Sequence, residues 1–123
     1  MEVMATSKFV RLSPTKVRDL ATKVRGLTVA EALKVVDINS RKGAFHLAKV
    51  LKSAIANAEN NDKLSVDDLK VKEAVVDNGP MQKRYWSRAR GAVSQILKRT
   101  CHITVVLTDG ESADVENTED VEA

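Results

Sequence analysis

The residues that could react are few and scattered. Cys101 is the only cysteine, and the two histidines are His46 and His102. Cys101 alternates with Ile103, Val105 and Leu107, the pattern of a buried strand thiol rather than a nucleophile. His102 falls on the other side of that strand, and His46 lies on a helical stretch far away in sequence. Asp77 completes a loose trio with His102 and Cys101, but nothing arranges the three as an acid–base set or a metal-ligand cluster. No Gly-rich phosphate loop or nucleophile elbow occurs. The expectation is a chain that is not an enzyme, with no catalytic residue, no metal and no cofactor.

The charged residues tell more. Between Asp77 and Asp109 there is no acid, while Lys83, Arg84, Arg88, Arg90, Lys98 and Arg99 all fall in that window. Six cations without an anion repel one another, and phosphates relieve that repulsion. Tyr85 and Trp86, two of only four aromatic residues, sit inside the basic run. Aromatics interleaved with arginine suit stacking on unpaired bases; packing against the core beside Pro80 and Met81 is the alternative. Ala89, Gly91, Ala92 and Ser94 keep this stretch slim. A solvated face would account for the cations, but not for the missing acids.

The whole chain sharpens the contrast. Its 123 residues suit one domain with a modest core. The net charge of +3 hides a split: residues 1–108 hold all 20 cations against 10 acids, and residues 109–123 hold seven acids and no base. This predicts a basic body (1–108) that attracts polyanions, followed by an acidic, disordered tail (109–123). One cysteine precludes an internal disulfide and fits a reducing compartment. No apolar run approaches the roughly 20 residues of a membrane span, and the opening MEVMATSK lacks a signal-peptide core. A cytoplasmic protein without a membrane partner is expected.

The elements that must position the basic segment follow from periodicity. Val3 to Leu12 reads as a weak strand. Ser13-Pro14 starts a helix, Val17, Leu20, Ala21 and Val24 form its buried stripe, and Gly26 stops it. Lys16 with Lys23, and Arg18 with Arg25, lie seven apart and so nearly on two lines along it. Thr28 and Glu31 form a capping-box pattern for a second helix with Val29, Ala32, Leu33 and Val36 inward. A third helix runs from about Arg41 to Asn60, its Ala-rich stripe implying close approach to a neighbouring layer. Asp67-Asp68 begin a short turn after Ser65.

From Leu69 the period becomes two: Leu69, Val71, Glu73 and Val75 alternate with Lys70, Lys72 and Ala74. This strand and the one from Thr100 to Leu107 should pair as an antiparallel hairpin. Continued inward, the pairing puts the turn near Ala89 to Gly91 and gives arms of roughly 60 Å at about 3.3 Å per residue. A small core cannot cover arms that long. The outer half, about residues 77–100, must project, and an isolated ribbon is marginal in water. Something outside the protein is expected to support it.

Four stretches resemble a known family, the universal L-twenty-two proteins of the large ribosomal subunit. They are RLSPTKVRDLATKVRG (11–26), VLKSAIANAENN (50–61), VKEAVVDNGP (71–80) and RARGAVSQILKRTCHITVV (88–106). The resemblance implies an α+β fold, three helices on a small antiparallel sheet with a long projecting β-hairpin. It implies a structural protein of cytoplasmic ribosomes that binds rRNA, supports subunit assembly and lines the nascent-peptide exit tunnel. Tip changes in the family affect macrolide sensitivity. Carried over by position, Lys83, Arg84, Arg88, Arg90, Lys98 and Arg99 would take the hairpin's basic positions and Lys16, Arg18 and Arg25 those of the first helix; Lys8, Arg11, Tyr85 and Trp86 complete the expected rRNA-binding set. Arg88, Ala89, Arg90, Gly91 and Ala92 would form the tunnel-facing tip. The implied partners are large-subunit rRNA, neighbouring ribosomal proteins and, at the tip, the nascent polypeptide, with no homo-oligomer. The chain departs from the family at Ser87, often Pro, at Ala92, often Arg, and at Cys101, usually Ser.

Two other classes compete. An architectural DNA binder would also carry a basic β-ribbon, but it would need an apolar wedge at the tip, where this chain has Arg-Ala-Arg-Gly. An RNA-acting enzyme would need the convergent constellation that is missing.

Overall fold

The computed structural model describes residues 2–61 and 63–109. Its element order is β1 (Glu2–Val10), α1 (Pro14–Val24), α2 (Val29–Ile38), α3 (Lys42–Asn60), a 3-10 turn (Val66–Asp68), β2 (Leu69–Asn78), β3 (Gln82–Ser87), a second 3-10 turn (Ala89–Gly91), β4 (Val93–Lys98) and β5 (Cys101–Asp109). Three helices pack on an antiparallel sheet of order β1-β5-β2, and β3-β4 form a separate two-stranded ribbon. The expected α+β class and hairpin are therefore present. The acidic-tail expectation lies outside the described residues except for Asp109, which ends β5 opposite Leu69.

Local chemistry sets the helix ends. Pro14 occupies the first turn of α1, where its missing N–H costs nothing. The Ser13 hydroxyl caps no backbone group and instead contacts the Thr15 hydroxyl at 3.1 Å. Gly26 takes φ +80°, the left-handed geometry only glycine adopts freely, and its N–H reaches the Val71 carbonyl at 2.9 Å. The helix stop is thus also a tie to the sheet. At α2 the Thr28 hydroxyl accepts from the Glu31 N–H at 3.4 Å.

The core lies between sheet and helices. Val17, Leu20 and Val24 of α1, Leu47 and Leu51 of α3, and Ile103, Val105 and Leu107 of β5 are fully enclosed. In α3, Ala44, Ala54 and Ala58 are buried as well, which lets this helix lie close against β1 and β5. Cys101 is buried within the same core, as its alternation required.

Two bulges shift the strand pattern. In β2 the register slips between Val71 and Glu73. One extra residue reverses the alternation, so Ala74 and Val76 turn inward and Val75 is only half-buried. The expectation that Val75 continues the face of Leu69 and Val71, with Ala74 opposite, is corrected by that bulge. In β1 the register slips between Ser7 and Val10. Strict alternation from Val3 and Ala5 would send Phe9 inward. The bulge buries Val10 and leaves Phe9 62% exposed, at φ 57°. A bulky residue there costs roughly 1–2 kcal/mol.

The long hairpin is interrupted. Pairing runs to Asn78 opposite Cys101 and resumes at Gln82 opposite Lys98. At the break, the Gly79 N–H donates to the Thr100 carbonyl at 3.0 Å, and the Thr100 hydroxyl donates to the Pro80 carbonyl at 2.6 Å. A Cβ on Gly79 would overlap the Thr100 hydroxyl, so only glycine lets the two strands approach this closely. Here the body ends and the arm begins.

Candidate nucleic-acid interface

The arm is built from β3 and β4, in register from Gln82 opposite Lys98 to Ser87 opposite Val93. Alternation along a strand sends Lys83 and Tyr85 to one face and Arg84 and Trp86 to the other. Tyr85 is 72% and Trp86 59% exposed, so neither packs on the core beside Pro80 and Met81. Of the arm side chains, only Ser94, Ile96 and Leu97 are half-buried. The ribbon holds together by its ladder and a thin apolar strip, with cations and aromatics presented on both sides.

The turn falls at Ala89–Gly91, as expected. The Arg88 N–H donates to the Ala92 carbonyl at 2.7 Å, and its Nε donates to the Ser94 hydroxyl at 3.1 Å. This folds Arg88 back along the arm. Arg90 sits at φ 61° and Gly91 at φ 72°, so two successive left-handed residues reverse the chain at the tip.

The other candidate residues divide into three groups. Lys8 and Lys16 are exposed on the body. Lys16 borders a hollow of about 660 Å³ with Leu12, Thr15, Asp19, Arg41 and Lys42. Arg18 and Arg25 are engaged within the protein. Arg18 donates from Nε and Nη2 to the Val76 carbonyl, both at 3.1 Å, and Arg25 does the same to the Ala74 carbonyl at 3.0 and 2.8 Å. Their seven-residue spacing on α1 therefore matches a two-residue spacing on β2.

The third group meets at the root of the arm. Arg11, Lys98 and Arg99 line one groove of about 540 Å³ with Phe9, Pro80, Gln82 and Thr100. Arg99 also reaches the Met81 sulfur at 3.4 Å. Phe9 is the residue that sequence reasoning missed. The only available signal was a lone aromatic between Lys8 and Arg11 at the end of a polar strand. His102 holds it: Nδ1 accepts the Phe9 N–H at 3.0 Å, and the two rings meet edge-to-face at 5.0 Å. As an acceptor at Nδ1, neutral His102 carries its proton on Nε2.

Asp77 lies opposite His102 across β2 and β5, while the neighbouring Cys101 turns into the core. Burial pushes the Cys101 thiol above its ordinary value, against a weaker opposing pull from Arg18, which keeps it protonated and inert. Burial, then Lys42 and Lys49, hold His46 below the ordinary imidazole range. Among the described residues no group of three His, Cys, Asp or Glu could hold a metal ion, and no helix is long and apolar enough to cross a membrane.

Comparison with known proteins agrees with this arrangement. The family model for Ribosomal protein L22p/L17e matches residues 5–108. The large ribosomal subunit protein uL22 of Akkermansia muciniphila is 51% identical over 111 residues, covering 90% of this chain and 99% of that protein. The large ribosomal subunit protein uL22 of Pseudothermotoga lettingae is 46% identical over 112 residues, covering 91% of this chain and 81% of that one. The family is one of structural ribosomal proteins, not enzymes. Since the match extends over residues 5–108, which include body, arm and body again, the chain belongs to the ribosomal protein L22p/L17e family.

Proposed function

We propose that this chain is a structural protein of the large ribosomal subunit that binds rRNA through its basic body and, above all, through its arm. The observation that carries the reading is the arm itself. Six cations, no acid and two exposed aromatics on opposite faces form a ribbon that the body does not cover. Phosphates supply the missing countercharge and bases the missing stacking partners. The ribbon would then bridge RNA segments distant in sequence and support subunit assembly, which is positioning rather than catalysis.

The slim turn, Arg88 to Ala92, would line the peptide exit tunnel and meet the nascent polypeptide. Neighbouring ribosomal proteins would contact the body, and the chain would act as a single copy in cytoplasmic ribosomes. Arg18 and Arg25 would contribute to RNA through positive potential and their Nη1 groups, since Nε and Nη2 already serve β2. Membership in a ribosomal family argues against the DNA-binding reading.

The test is incorporation. In sucrose gradients at rising salt, the wild-type chain should travel with the large subunit. Arg84→Glu with Arg88→Glu should remain largely at the top, while the purified double variant keeps its melting temperature. Normal incorporation of that variant would defeat the arm-centred reading. A wild-type chain found with DNA and released by DNase would favour the architectural alternative.

A further inference from the structure

Phe9 is held where neither folding nor solubility asks for it. It is bulky, yet it stands in a left-handed conformation that favours Gly or Asn. It is aromatic, yet most of its surface faces solvent. Two contacts fix it there: the hydrogen bond from its N–H to His102 Nδ1, and the edge-to-face packing that leaves a ring face free. Strain of this kind, over-determined by its neighbours, marks positions kept for binding.

What lies beside the ring names the ligand. The groove of about 540 Å³ is within the range of small-molecule clefts. Its charged lining is Arg11, Lys98 and Arg99, with no acid among its residues. Gln82 adds an amide that can both donate and accept. A flat apolar surface, an amide and three cations within one concave site match a base, its hydrogen-bonding edge and its flanking phosphates. A paired, stacked base cannot reach such a ring, whereas an unstacked one can.

We propose that the groove at the arm root docks a single unstacked nucleotide of the RNA, with its base on Phe9 and its phosphates against Arg11, Lys98 and Arg99. This rests on the rRNA-binding reading and adds to it one concave base site at the root, apart from the exposed aromatics of the arm. The site tolerates any base, because every base offers a π-face to the ring.

Two RNA hairpins of identical stem test it, one fully paired and one with a single bulged 2-aminopurine. The wild-type protein should bind the bulged RNA about five-fold tighter or more, and quench its fluorescence. Phe9→Asn suits the left-handed backbone and should keep the fold. It should bind paired RNA as the wild type does, and lose both the preference and the quenching. If paired RNA binds with the expected salt dependence but the bulge adds nothing, or if Phe9→Asn retains the preference, the groove proposal falls and rRNA binding stands. If wild-type protein binds neither RNA, both readings fall together.

Discussion

The body and the arm are made from the same hairpin, and they obey opposite rules. In the body, β2 and β5 bury Leu69, Val71, Ile103 and Leu107 against three helices. In the arm, β3 and β4 leave almost every side chain in solvent. The first half derives its order from its own core. The second has a backbone ladder and only a thin apolar strip in place of a core. The contrast separates two uses of sequence, one that specifies a fold and one that specifies a partner. The boundary is the ladder break at Gly79, Pro80 and Thr100.

The contrast can be broken in the body first. Leu51→Ala opens the core under α3 and should cost about 2–5 kcal/mol in chemical denaturation. Trp86→Ala in the arm should stay within about 0.5 kcal/mol of wild type. A comparable loss at Trp86 would mean the arm has a packing partner within the chain.

Next comes the boundary. Gly79→Ala forces a Cβ into the Thr100 hydroxyl and should cost about 1–3 kcal/mol as the junction shifts. Amide exchange should rise at Gln82 to Ser87 while the α3 amides stay protected until global unfolding. Uniform loosening throughout would show that arm and body fold as one unit.

Two smaller effects sharpen the comparison from the body side. The Thr108 hydroxyl is buried with no hydrogen-bond partner among the described residues. Thr108→Val should therefore raise stability by about 1 kcal/mol in a thermal melt. The smallest effect is on pH. His46 is held below its ordinary value of 6.5, chiefly by burial and further by Lys42 and Lys49. The unfolded chain takes that proton more readily, so this contribution is intact above the ordinary value and is lost as pH falls below it. His46→Gln should flatten the stability profile on the acid side.

Much of this was legible in the sequence because it depends on local chemistry. Pro14, Thr28 and Gly26 mark helix boundaries through capping and backbone freedom, and the stripes of α1 and α3 face inward as their spacing requires. The turn at Ala89–Gly91 and the buried Cys101 were also readable. What escaped depends on a partner strand. A bulge is a mismatch between two strands, and neither alone displays it. Hence Val75 was placed on the wrong face, and Phe9 went unnoticed as an outward ring. The engagement of Arg18 and Arg25 was hidden for the same reason, since their acceptors lie 58 and 49 residues away.

Those two arginines have a consequence for the protein before it meets any partner. β2 is an outer strand of its sheet, with β5 on one side only. Exposed strand edges recruit strands from other molecules and seed aggregates. Along this edge, Val71 exchanges hydrogen bonds with Gly26 and Leu27, while the next carbonyls, Ala74 and Val76, are occupied by Arg25 and Arg18. The helix stop and two guanidinium groups thus plug the edge one acceptor after another. A newly made chain is in this way kept from using the β2 edge of its sheet as a template for the next copy.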